Sequence, residues 1–371
     1  MGYPIRKWND VLSIISGKNQ KVVADSSGQY PIYGSGGIMG YANNYLCEAG
    51  TTIIGRKGTI NRPIFVNERF WNVDTAFGVF PGEMLHPKFL FYFCQSFNFK
   101  ALEKSTTIPS LAKRDLLNIE MPVPSFPEQE HIISRIEELF SQLDASVAEL
   151  KTAKERLKVY RQAVLKEAFE ELKDSVPMHR VATMIDPQPS HRTPPEVVGG
   201  IPYVGIGDID YKQDRIMFEQ ARKVSPSLLD EHKDRYEITE GDFIMGKIGT
   251  IGKPYRLKLP QDYALSANVI LIQSNTEIIS PEFLFWQFSS PLVTSQLSDG
   301  AAATSQAAFG IKKARNLKIN ICPLPVQREI VRVVNEEMSV CDSIEKTVDT
   351  ALQQAEALRQ SILKKAFEGE F

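Results

Sequence analysis

Residues 161–170 read RQAVLKEAFE, and residues 359–368 read RQSILKKAFE. Seven of the ten positions are identical at a shift of 198 residues, which chance explains poorly in a chain of 371. Other segments repeat in the same order. IIGRKGTI at 53–60 returns as IMGKIGTI at 244–251, PKFLF at 87–91 as PEFLF at 281–285, and MPVPSFPEQEHII at 121–133 answers to CPLPVQREIV at 322–331, with Gln129 matching Gln327. A period this long exceeds a solenoid unit, so each copy holds a whole domain and an appendage.

The appendage is a helix. From Glu128 to Glu170 there is neither Gly nor Pro. Ile136, Leu143, Leu150, Leu157 and Val164 fall seven apart, as a positions of a heptad, with Ile132, Leu139, Ser146, Ala153 and Tyr160 at d. The repeat gives Val334, Cys341, Val348, Ala355 and Ile362 at a, with Ile330, Glu337, Ile344, Ala351 and Leu358 at d. Ser125 and Glu128 form a capping-box pattern, and Pro122, Pro124, Pro323 and Pro325 bracket the starts of the two helices. The short β-rich runs before each helix, such as GTTIIG, FGVF and NVILIQ, are divided by Gly, Pro and Asn, which predicts an α+β lobe. The chain thus reads as lobe one (1–124), a central helix (125–172), lobe two (173–325) and a C-terminal helix (326–371). The two helices are expected to pair as an antiparallel coiled coil with pseudo-twofold symmetry.

Composition excludes several classes. With 43% hydrophobic and 24% charged residues and a mean hydropathy of −0.20, the chain is neither disordered nor membrane-embedded. Its start, MGYPIRKWND, has no apolar signal core, and the reading is cytoplasmic. Cys47, Cys94, Cys322 and Cys341 lack metal-ligand spacing and read as buried thiols, and the five His residues form no paired set. No metal site is expected. GTIGKP lacks the spacing of a phosphate loop, VGIGD and YGSGG do not fit a dinucleotide fingerprint, and no catalytic constellation emerges.

Charge is distributed unevenly. Residues 1–124 carry 13 Lys+Arg against 9 Asp+Glu and residues 173–325 carry 17 of each, whereas 125–172 and 326–371 each have a net charge of −3. The less acidic lobes suit nucleic acid, because phosphate binding needs several cations on one surface. Candidate DNA contacts are Arg56, Lys57 and Arg62 on the first Gly-flanked turn, and Lys247, Lys253 and Arg256 on the second. Two polar loops add Lys104 and Thr106, and Thr304 and Ser305. A protein-binding coiled-coil scaffold without DNA contact is the alternative reading.

The ordered pairs of motifs, PVPSFPEQEHII with PLPVQREIV, RQAVLKEAFE with RQSILKKAFE, and IGRKGTI with MGKIGTIG, resemble the specificity subunit of type I restriction-modification enzymes over essentially the whole chain. That resemblance implies two target recognition domains, each reading one half of a split site in double-stranded DNA, held apart by the coiled coil. It also implies two methyltransferase subunits, which bring S-adenosylmethionine, and optionally two motor-nuclease subunits. The chain itself would carry no cofactor and no catalysis.

Overall fold

The structure is a computed structural model that describes residues 3–103, 110–190, 192–247, 251–302 and 309–371. The chain forms two compact units, residues 1–152 with 348–371, and residues 153–347. Each unit contains one lobe together with stretches of both long helices.

The first lobe contains β1 (Ile5–Lys7), α1 (Trp8–Val11), β2 (Leu12–Ser16), β3 (Tyr30–Gly34), β4 (Gly37–Ala42), β5 (Thr51–Gly55), β6 (Ile64–Val66), β7 (Trp71–Asn72), β8 (Ala76–Pro81), α2 (Pro87–Ser96), α3 (Lys113–Leu117) and β9 (Glu120–Pro122). Its strands form an antiparallel sheet β2-β8-β5-β6, a sheet β4-β3-β7 whose β3–β7 pair is parallel, and the ribbon β1-β9. The run TTIIG is buried at every position, as a central strand rich in β-branched residues should be. α4 (Phe126–Glu170) follows.

The second lobe contains β10 (Ser175–Pro177), β11 (Ala182–Ile185), β12 (Ile201–Val204), β13 (Ile209–Asp210), β14 (Arg215–Ile216), β15 (Arg222–Val224), α5 (Pro226–Lys233), β16 (Phe243–Gly246), β17 (Tyr255–Arg256), β18 (Ala264–Leu265), β19 (Val269–Ser274), α6 (Pro281–Ser289), α7 (Pro291–Ala302), α8 (Ile311–Arg315) and β20 (Lys318–Asn320), before α9 (Leu324–Glu368). Its sheets, β11-β19-β16-β17, β15-β12-β18 and β10-β20, match the first lobe strand for strand, down to the parallel β12–β18 pair. The hairpin β13-β14 and helix α5 are additions of this lobe. The repeat in sequence is therefore a repeat in topology.

The motif shared by 161–170 and 359–368 docks helix on lobe. In the first unit Phe367 packs edge-on against Phe89 and Phe93 of α2, with ring centroids 5.1 and 5.4 Å apart. In the second, Phe169 meets Phe283 of α6 at 5.4 Å. Leu165 and Leu363 are buried one turn earlier. Burial of such a side chain stabilises by about 1.5–3 kcal/mol.

The start of each long helix is fixed by a buried glutamine. The Gln129 Oε1 accepts from the His86 N–H at 2.8 Å, while its Nε2 donates to the carbonyls of Met84 and Pro124 at 2.8 and 2.9 Å. Gln327 repeats this with the Ser280 N–H at 2.8 Å and the carbonyls of Ile278 and Cys322 at 2.9 and 2.8 Å. Both side chains are 0% exposed. Each amide thus ties three backbone groups that loops would otherwise leave unpaired.

Within each unit the two long helices run antiparallel. In the first, Asp144 pairs with Arg359, and Ile136 and Phe140 share a core with Ile362, Leu363 and Ala366. In the second, Lys154 and Arg161 pair with Glu345, and Leu165 shares a core with Val331, Val334 and Met338. The a-position residues Ile136, Leu157, Val334, Val348 and Ile362 are buried, with Leu143 and Leu150 half-buried.

The second row of the seam departs from the heptad expectation in part: Ile132 is buried and Leu139, Ile330, Glu337 and Ala351 are half-buried, as a d row should be. Ser146, Ala153, Tyr160, Ile344 and Leu358, read as d positions, are exposed. The seam also uses the row four after the a positions: Phe140, Val147, Lys154, Arg161 and Ala168 on α4, and Val331, Met338, Glu345, Leu352, Arg359 and Ala366 on α9, all buried or half-buried. Charged residues in that row hid it from the hydrophobic pattern. Their stems cover the seam while their heads pair at its rim. Arg359 also stacks on Phe140, 4.3 Å from the ring centroid.

Replacing Gln327 with Met should leave the Ser280 N–H and two carbonyls without partners. Each buried group so orphaned costs about 1–3 kcal/mol. Urea unfolding followed by circular dichroism should show a clearly lowered midpoint, and an unchanged midpoint would mean that the amide is not structural.

Candidate nucleic-acid interface

β5 ends at Gly55, where a Cβ would lie 2.0 Å from the Thr59 carbonyl oxygen, and Gly58 sits at φ +76°. The chain can turn this tightly only without side chains at these positions. Arg56 and Lys57 occupy the turn, and their N–H groups donate to the Thr75 carbonyl at 2.8 and 3.2 Å. The Leu111 N–H donates to the Arg56 carbonyl at 2.9 Å, and Lys57 forms an isolated β-bridge with Ser110. The first turn therefore lies against the residues that follow the polar loop holding Lys104 and Thr106, which themselves lie outside the described residues.

Lys57 and Arg62 are exposed, and Arg56 is half-buried with its guanidinium 5.7 Å from the Phe77 ring centroid. The Arg56 Nε is buried with no hydrogen-bond partner among the described residues.

The second turn has the same backbone and a different chemistry. The Phe309 N–H donates to the Lys247 carbonyl at 2.7 Å, reproducing the Leu111–Arg56 bond. Lys247 is buried, however, and its Nζ lies 2.7 Å from the Asp186 carboxylate and 2.9 Å from the Ala267 carbonyl. Its ammonium is committed to the lobe. The Lys253 Nζ stands 3.8 Å from the Tyr211 ring centroid, and the Tyr211 hydroxyl donates to the Lys253 carbonyl at 3.0 Å. The Arg256 guanidinium lies 4.1 Å from the Phe285 ring centroid and 3.5 Å from the Glu282 carboxylate. Desolvation lowers the pKa of both Lys253 and Arg256. These two cations are half-spent on aromatic faces, and Thr304 and Ser305 lie outside the described residues.

Sequence reasoning missed the β3–β4 hairpin. Its Ser35 approaches the first turn closely enough that a Cβ on Gly55 would stand 3.1 Å from the Ser35 Cβ. Ile38, Met39 and Tyr41 next to this tip are exposed by 56%, 63% and 47%. The stretch from Ile38 to Tyr41 is apolar with Gly40 inside it, and nothing in that pattern marks its outer face as bare.

A family model described as the type I restriction modification DNA specificity domain matches residues 2–155 and 189–354. The chain belongs to the type I restriction-modification specificity family. Its curated relatives include the EcoBI specificity subunit of Escherichia coli, 25% identical over 354 residues covering 86% of this chain and 73% of that one. The EcoKI specificity subunit of E. coli strain K12 is 27% identical over 332 residues, covering 80% and 69%.

Among solved structures, a chain from a study of complex assembly and conformational transition of the type I R-M system superposes with a TM-score of 0.74 at 16% identity, covering 100% of this chain and 98% of that one. The HsdS subunit from Thermoanaerobacter tengcongensis superposes at 0.51 with 16% identity, covering 100% and 97%. These likenesses concern the fold. In this specificity-family chain each matched segment contains one Gly turn. Among the described residues no group of His, Cys, Asp and Glu is arranged to hold a metal, and no helix is long and apolar enough to cross a membrane.

The two turns predict opposite phenotypes. Lys247→Met removes the ammonium facing the mostly buried Asp186, and breaking such a pair costs about 3–5 kcal/mol. Lys57→Gln, on an exposed turn, should leave the melting temperature unchanged while weakening binding to a DNA duplex. Differential scanning calorimetry and fluorescence anisotropy on the two variants separate these effects, and equal melting temperatures would refute the assignment.

Proposed function

We propose that this specificity subunit reads a split site in double-stranded DNA, one half-site per lobe, while the long helices set the number of unread base pairs and dock two methyltransferase subunits. The observation that carries this reading is the strand-for-strand repetition of the lobes, each with its turn fixed by the same backbone bond, Leu111 to Arg56 and Phe309 to Lys247. A duplicated reader suits a site with two separately recognised parts, since half-site spacing mirrors protein geometry.

Partner docking has a surface to use. On α9, Val326, Val333 and Val340 are exposed at heptad spacing, with Ile344 one turn beyond. A bare apolar stripe of this kind marks a helix face awaiting protein. In this proposal the chain supplies recognition alone. The methyltransferase subunits hold S-adenosylmethionine and transfer the methyl group, and motor-nuclease subunits join where the system restricts DNA.

Four experiments test the reading. Mass measurement of the chain co-purified with its methyltransferase should give one copy to two, and the chain alone should transfer no label from S-adenosylmethionine to DNA. Selection of bound sequences from a randomised duplex library should return two defined half-sites around a fixed spacer. One heptad inserted after Leu150 and at the facing level of α9 lengthens the helices by about 10 Å. The same half-sites should then be selected with roughly three more base pairs between them, at about 3.4 Å per pair. A variant that assembles and still selects the original spacing removes the helices from that role.

A further inference from the structure

The second lobe is neutral overall, and Lys247, Lys253 and Arg256 are engaged within it. We infer that this lobe grips the DNA backbone elsewhere, through Arg180, Lys312, Lys313, Arg315 and Lys318, a phosphate-binding patch built on α8 and the β10–β20 ribbon. The inference rests on the DNA-recognition reading and names the surface that serves it.

The patch begins in the sequence. No Asp or Glu occurs from Gly300 to Arg328, a stretch that includes Lys312, Lys313, Arg315 and Lys318. In the fold all four are exposed. Pro177 pairs with Lys318 across the ribbon, and the turn that follows brings a ring nitrogen of His179 within 3.0 Å of the Arg315 carbonyl, which places the exposed Arg180 beside them. The Lys313 Nζ bonds the Gly300 carbonyl at 2.6 Å. Arg180, Lys312, Arg315 and Lys318 have no carboxylate partner among the described residues. A depression of about 340 Å³, lined in part by Gln296, Phe309, Lys312, Lys313 and Asn316, opens beside α8. Cations clustered without counter-charge repel one another and concentrate anions at the surface.

The first lobe provides an internal control. The Trp8 N–H donates to the Ile119 carbonyl at 2.9 Å, and the Met178 N–H to the Leu317 carbonyl at 2.8 Å, which fixes the structural equivalence of the two regions. In that alignment Arg180, Lys312, Lys313, Arg315 and Lys318 correspond to Asp10, Arg114, Asp115, Leu117 and Glu120. One scaffold carries four cations where its twin has three acids and a leucine, with Lys312 and Arg114 the shared basic position. Folding therefore does not require the charge. In the first lobe Asp10, Asp115 and Glu120 are interspersed with Arg6, Lys7, Lys113 and Arg114, and Lys57 and Arg62 are exposed on or beside its Gly turn.

The test compares the full chain with K312Q/R315Q/K318Q and with K158Q/K166Q/K364Q, which makes the same charge change at exposed lysines of the long helices. Fluorescence anisotropy of a labelled mixed-sequence duplex is recorded over a range of salt concentrations. Each lost phosphate contact lowers the slope of log affinity against log salt by about 0.9. The patch variant should lose about two to three from that slope and bind at least about tenfold more weakly at low salt, while the helix variant follows wild type. If the triple variant misfolds by circular dichroism, K312Q and R315Q singly should each remove about one unit of slope.

A folded patch variant with wild-type affinity and slope overturns the inference. So does one that keeps the slope but no longer co-purifies with the methyltransferase, since the patch would then face protein. Failure of the wild-type chain to bind duplex at any salt would instead refute the DNA reading on which the inference rests.

Discussion

A buried primary amide holds each half of this molecule together. Gln129 and Gln327 sit in the first turn of their long helices with no exposure to solvent, and each satisfies one N–H and two carbonyls belonging to the preceding lobe. No other uncharged side chain offers an acceptor and a two-hydrogen donor on one rigid plane at that reach, apart from its shorter homologue. The direction in which the helix leaves the lobe is thereby coupled to the end of the connection after β8 or β19. Within each unit, the Phe367 or Phe169 contact and the pairing of α4 with α9 complete the seat of the long helices on the lobe.

The duplication, the long helices and the lobe class were legible because each leaves a signal in a single chain: identical segments at fixed shift, a long run without Gly or Pro, and short β-branched runs between turns. The seam was half legible. A ladder of a positions could be read, but its companion row includes Lys154, Arg161, Glu345 and Arg359, whose methylene stems are buried while their charges meet across the seam. A hydropathy pattern scores such residues as outward-facing. In the neighbouring d row Tyr160, Ile344 and Leu358 score as inward and are exposed.

The candidate interface was least legible, for a reason of a different kind. Arg56 and Lys247 are equivalent in sequence and share a backbone environment, yet one has an Nε without a partner among the described residues and the other an ion pair to Asp186. The difference arises from a carboxylate 61 positions away in sequence, brought to the turn by the β11–β19 pairing. Residue type and local spacing cannot report a partner supplied by tertiary structure. The absence of acid between residues 300 and 328 was a readable signal of another sort, visible only when the missing charges are counted as well as those present.

The division of the chain between the two units has a consequence for how the molecule is made. The second unit, residues 153–347, is one uninterrupted stretch, whereas the first closes its core with Ile362, Leu363, Ala366 and Phe367, synthesised after the whole of the second. Closing that loop carries an entropic cost that grows slowly with its length and delays the contacts it permits. Until then Phe89 and Phe93 of α2 lack the ring that covers them. Domains ordinarily mature in the order they leave the ribosome. Here the later unit has its whole sequence made first, and the earlier one lacks Phe367 until residues 348–371 are added.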